Sequence, residues 1–140
     1  MSNLLIGKYQ WKDRYSVNIE SIDKHHLNFL ELMNSLIDAI NEKKCSDEIQ
    51  TIFYKLLFYA ESYFTEEEML FQKHNYPKFE NHKAEHKDFA EKISMLQVEY
   101  SKGKSSVCFY LLTFMQKWFQ EHILAYDAEA VEFLLKNGVK

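Results

Sequence analysis

The sequence predicts an all-α protein, an up-down-up-down four-helix bundle with an N-terminal arm packed on it. Three observations carry the prediction. The 140 residues include 3 glycines and 1 proline, too few for the turns of a β-rich fold or the loops of a dinucleotide-binding fold. Leu, Glu, Lys and Phe, which tolerate long helices, are frequent. Apolar side chains recur at steps of three and four along four stretches joined by short connections, as antiparallel helices in a bundle require.

The arm, residues 1–20, carries Trp11, Tyr15, Val17 and Ile19. It is too short for a domain and too aromatic to stay in water, so it is expected against the bundle. The first helix is expected over 21–41, capped by Ser21 or Asp23, with Ile22, His26, Phe29, Leu30, Met33, Leu36, Ile37 and Ile40 facing inward. The second spans 46–74, with Phe53, Leu56, Ala60, Tyr63, Glu67 and Leu70 inward, and ends at Asn75-Tyr76-Pro77, since a residue before proline avoids helix. The third covers 78–102 and turns Phe79, His82, His86, Phe89, Ile93, Leu96 and Tyr100 inward. Gly103 and Lys104 punctuate. The fourth covers 105–125, with Val107, Leu111, Phe114, Trp118 and His122 inward, followed by a tail, 126–140. The whole chain, 1–140, reads as a single domain.

Net charge is −4, with both signs interspersed. No basic stripe points to nucleic acid, and no polybasic segment or long apolar run points to a membrane. The N-terminus lacks the apolar core of a signal peptide, so a cytoplasmic location is expected. Cys45 and Cys108 are far apart and match no metal or redox spacing, which reads as two separate thiols in a reducing compartment.

The inner faces also carry residues that do not belong in an oily core. His26, His82, His86 and His122 lie on inward rows of three helices, and Glu67 on the fourth. One histidine on such a face finds a hydrogen bond. Several buried polar groups near one level, each costly when unpartnered, call for a common partner, and a metal supplies it. His82 and His86 are four apart, so both imidazoles aim at one point. Tyr63 and Glu67 repeat the spacing. Asp127 follows His122 by five, about 140° off its face in an ideal helix, and reaches the site only if the helix end is distorted. Imidazoles and carboxylates without thiolate suit iron, manganese or zinc. Six or seven such ligands exceed the four of one zinc and match two near-octahedral ions.

These residues resemble the hemerythrin family, in particular its bacterial single-domain members. The segment Ile22-Asp23-Lys24-His25-His26 is similar to the family's Ile-Asp-x-x-His. Tyr63-Phe64-Thr65-Glu66-Glu67-Glu68 is similar to His-Phe-x-x-Glu-Glu. Tyr76-Pro77, His82-x-x-x-His86, Phe89 and Trp118-x-x-x-His122-Ile123-x-x-x-Asp127 complete the pattern. The resemblance implies two iron ions with a bridging oxo or hydroxo group. It assigns His82, His86 and His122 to one iron, His26 and residue 63 to the other, and Glu67 and Asp127 to both. It implies O2 or a small anion at an open position of the second iron, where Trp11 and Phe29 are expected to shape a dry pocket.

The departure is Tyr63, which stands where the family has histidine. His25 is about 100° round the helix from His26, and His74 lies roughly 16 Å further along, so neither is expected to substitute. The second iron either gains a tyrosinate ligand, which favours Fe(III), or loses a ligand. The reading is therefore a binding protein for O2 carriage, storage or sensing, rather than an enzyme, with chemistry altered at Tyr63. The alternatives are a di-iron redox enzyme acting on peroxide, NO or O2, and an interaction module with another metal or none.

Overall fold

A computed structural model describes residues 5–139. Residues 1–4 of the expected arm and the last residue of the expected tail lie outside the described residues. The described residues form helices without strands: α1 (Glu20–Asn41), α2 (Cys45–Tyr59), α3 (Thr65–Lys73), α4 (Phe79–Ser101), α5 (Val107–Trp118) and α6 (Ala128–Lys136). A π-helical segment, Ala60–Phe64, joins α2 to α3, and a second, Phe119–Asp127, joins α5 to α6. Six helices thus make four rods. Residues 126–136, expected as tail, continue the fourth rod.

Each rod packs on the rods before and after it in the chain, and α1 also packs on α5, closing the ring. Short turns between packed neighbours make them antiparallel. Asn75 and Gly103 take left-handed backbone, with φ of 55° and 90°, at the two turns the sequence marks.

The core between the rods is apolar and aromatic. Phe29, Phe53, Phe89, Met33, Leu36, Ile37, Leu56 and Ile93 are fully buried, each worth about 1.5–3 kcal/mol relative to exposure. The arm fastens to α1 through side-chain amides. Asn34 exchanges two 2.8 Å hydrogen bonds with the backbone of Tyr9, and Asn41 does the same with Ile6. Tyr15 then lies edge-on to Phe119, and Trp11 packs edge-on to Tyr15. Asp23 does not cap α1. Its carboxylate accepts from the Ser16 hydroxyl at 2.6 Å and the Val17 N–H at 2.8 Å, pinning the chain just before the helix.

The cysteines depart from expectation. Cys45, opening α2, and Cys108, in the first turn of α5, are joined as a disulfide with Cα atoms 6.4 Å apart. Separation along the sequence says nothing about this, because the antiparallel ring brings both helix starts to one end of the bundle. His122 lies on the same rod, roughly 20 Å further along from Cys108 at 1.5 Å per residue.

Candidate metal centre

The inward rows shift where the helices widen. In the second rod the expected row ran through Tyr63 and Leu70. Ala60 and Glu67 of that row are buried as expected, joined by Tyr59, Phe64 and Phe71, while Tyr63 and Leu70 are only half-buried. The π-helical turn at Ala60–Phe64 offsets the faces on either side of it. Phe64 takes the inward place and lies flat on His86, ring centroids 3.9 Å and planes 7° apart.

In the fourth rod the same device makes the centre possible. His122 and Asp127 fall within the π-helical Phe119–Asp127. Bonding from i to i+5 brings residues five apart to nearly one face, which is the distortion Asp127 needed. His122 Nε2 lies 3.0 Å from Asp127 Oδ1, and both residues are 2 % exposed.

Two groups of buried donors converge. One consists of His82, His86, His122 and Asp127, the other of His26, Glu67 and Asp127, with the ligand atoms of each group within 4.8 Å of one another. Asp127 Oδ1 faces His82 Nε2 at 2.7 Å, while its Oδ2 faces His26 Nε2 at 3.0 Å. Glu67 divides likewise: Oε1 faces His86 Nε2 at 3.5 Å, and Oε2 lies toward α1. The Nε2 atoms of His82, His86 and His122, with Glu67 Oε1 and Asp127 Oδ1, are buried without hydrogen-bond partners. These atoms approach one another yet do not bond to one another. They aim at a shared point. Adjacent donors on an octahedral ion with bonds of about 2.1 Å are about 3.0 Å apart, close to the separations here, so the donor set fits metal.

The outward nitrogens are held by acids. His86 Nδ1 donates to Glu68 at 2.8 Å and His122 Nδ1 to Glu85 at 2.8 Å, the carboxylate–histidine pairing that fixes a ligating ring. Burial pushes the His86 imidazolium down, against the pull of Glu68. Burial also opposes charge on His122, but facing Asp127 and Glu85 prevail and raise it to about 9. Burial alone would raise the Asp127 carboxyl. The charge of His122 and the hydrogen bond from His26 instead hold it well below the usual carboxylate range.

The profile of the Hemerythrin HHE cation binding domain matches residues 17–134. A bacteriohemerythrin of Clostridium acetobutylicum is 30% identical over 130 residues, spanning 89% of this chain and 99% of the relative. Bacteriohemerythrins of Pseudomonas aeruginosa and Methylococcus capsulatus are 30% and 28% identical, over 87% and 81% of this chain and 78% and 86% of theirs.

The chain belongs to the hemerythrin family.

A hemerythrin domain implies a non-haem iron site, and the described residues hold a buried His/Asp cluster that can take a metal. Tyr63, expected on the inward row, is placed differently. Tyr63 does not turn its hydroxyl to the converging donors. The hydroxyl accepts from the Asn28 amide, and the ring stacks on His25, centroids 4.1 Å and planes 10° apart. His25, expected to face away, is 4 % exposed, and its Nδ1 lies 3.0 Å from Glu67 Oε2. Helical angle alone missed this, because α1 seats so that both His25 and His26 face the core. The one signal in the sequence was the pair itself, two adjacent histidines on one helix. Of the expected pocket residues, Phe29 is buried against Tyr59 and Phe89, while Trp11 packs on Tyr15.

Proposed function

We propose that this hemerythrin holds two iron ions with a bridging oxo or hydroxo group and binds O2 for carriage, storage or sensing. The observation that carries the reading is the division of the two carboxylates. Glu67 and Asp127 each turn one oxygen to the histidines of α4 and the fourth rod and the other toward α1, the arrangement of groups that bridge two ions. His82, His86 and His122 would hold one iron, and His26 with the far carboxylate oxygens the other. When bound, the irons supply the electrons that O2 binding draws on. The chain's residues orient the donors through Glu68 and Glu85 and pack the three-histidine side with Phe64, Phe89 and Trp118, all buried.

A cleft of about 510 Å³ lined by Phe64, Glu68 and His86 lies on the three-histidine side. His25, Glu66 and Glu67 line a cleft of about 420 Å³ between α1 and α3, giving a small solute access. In this reading Tyr63 tunes the site. Direct tyrosinate ligation requires its hydroxyl to exchange Asn28 for iron.

The test is anaerobic loading with Fe(II), metal analysis and exposure to O2. Two irons per chain and a visible band that appears with O2 and fades on its removal support the proposal. One iron or none defeats it. Irreversible oxidation, or turnover of peroxide or NO in place of reversible binding, moves the assignment to a redox enzyme.

A further inference from the structure

We propose that His25 is a ligand of the second iron, through Nδ1, taking the coordination place that a histidine at position 63 would fill. The inference rests on the di-iron reading and adds a residue to it.

Consecutive residues on one helix rarely both face a core, being about 100° apart. Here His25 and His26 are 4 % and 0 % exposed. The donors that already converge on the second position are His26, Glu67 and Asp127, and His25 joins them by a shift of its ring toward His26. His26 Nε2 reaches Asp127 Oδ2 at 3.0 Å, and His25 Nδ1 reaches Glu67 Oε2 at 3.0 Å. Those are the two carboxylate oxygens turned away from the three-histidine group. Both separations equal the spacing of adjacent donors on an octahedral ion with bonds of about 2.1 Å. Without His25 the second ion would have one histidine and two carboxylate oxygens from the chain. With His25 drawn in, the ion would have four donors, and room for a bridging oxygen and an exogenous ligand.

His25 is also oriented as a ligand is. Its second nitrogen, Nε2, lies 3.4 Å from Glu66, as His86 is backed by Glu68 and His122 by Glu85. The Tyr63 ring covers one face of the imidazole, and Asn28 holds the tyrosine hydroxyl. Tyr63 is then a positioning residue that fixes the His25 ring. The plain alternative is that His25 only donates a hydrogen bond to Glu67.

Co(II) is the probe. Each imidazole bound to Co(II) carries one exchangeable N–H with a strongly shifted proton resonance, so the signals count the ligating histidines. The protein is expected to bind two Co(II) and show five such resonances. His25→Ala should lose one and weaken the second Co(II) beyond the roughly tenfold to hundredfold cost of removing an outer partner. Tyr63→Phe should keep all five and both ions. Two Co(II) with four shifted resonances in the unaltered protein overturns the proposal, whether or not His25→Ala folds. So does loss of the second Co(II) in Tyr63→Phe, which would make the phenol the ligand. Failure of the unaltered protein to take up two Co(II) overturns the two-ion reading as well.

Discussion

His122 and Glu85 sit on different rods, yet the imidazole Nδ1 donates to the Glu85 carboxylate at 2.8 Å. Glu85 is two-fifths exposed along its side chain, whereas His122 is buried. A carboxylate at the surface therefore holds a ring in the core with its Nε2 turned toward Asp127. Glu85→Gln keeps the shape but weakens the acceptor. The expected result is a roughly tenfold to hundredfold loss of affinity at the three-histidine position with the fold intact, read by competition with a chelator and by far-ultraviolet circular dichroism. Unchanged affinity would show that the pair does not orient the ring.

The fold was legible because its signals are additive along the chain. Rows such as Met33, Leu36 and Ile37 repeat at helical spacing over many turns, and no single misassignment alters the outcome. The site was legible where it lies on regular helix, as at His82 and His86. It was less so where a π-helical turn re-registers a face. No periodicity reveals that Phe64 rather than Tyr63 points inward, because one widened turn moves the row and leaves the sequence spacing unchanged. Asp127 shows the converse, since its five-residue spacing demanded a distortion and the distortion is there. The disulfide was illegible for a third reason: it depends on which helix ends meet, a tertiary fact.

The Cys45–Cys108 bond closes a sequence separation of 63 residues. On chain-entropy grounds a loop of that size restricts the unfolded ensemble by about 4 kcal/mol. The double variant Cys45→Ser, Cys108→Ser should unfold at lower urea, its unfolding free energy reduced by up to that amount. It should bind the same amount of metal, because the bond lies at the other end of the bundle from the histidines. A loss of metal stoichiometry would show that the two ends are coupled.

Phe64 and Trp118 enclose two rings of the candidate centre, Phe64 flat on His86 and Trp118 flat on His122 at 3.8 Å. Phe64→Ala opens a cavity beside His86 and should cost about 3–5 kcal/mol of stability. It should also admit water, so a loaded protein should oxidise irreversibly faster than the unaltered one. Stopped-flow absorbance after mixing with O2 measures this. An unchanged oxidation rate would mean that Phe64 acts only as packing.

The metal-free and metal-loaded proteins should respond to pH with opposite sign. In the metal-free fold His122 is raised from 6.5 to about 9, burial opposing the charge and Asp127 and Glu85 overcoming it. A group whose folded pKa is raised stabilises the fold below its unfolded pKa and loses that contribution as pH rises through the folded value. His122 therefore supports the metal-free protein up to about pH 6.5 and withdraws on the order of 3 kcal/mol by pH 9. His86 is lowered by burial, so it opposes the fold only on the acid side and does not cancel this limb. His82, His86, Glu67, Asp127, Glu85 and Tyr126 are the titratable groups that face His122. Metal reverses the direction, since a ligating imidazole must be neutral and binding releases its proton. Chelation should lower the melting temperature while leaving substantial helix, because the apolar rows remain. From pH 6.5 to 9 the melting temperature should then fall in chelator and hold or rise with metal bound. The same slope in both states would show that His122 is not a ligand, and a flat metal-free profile would show that its contact with Asp127 carries no charge.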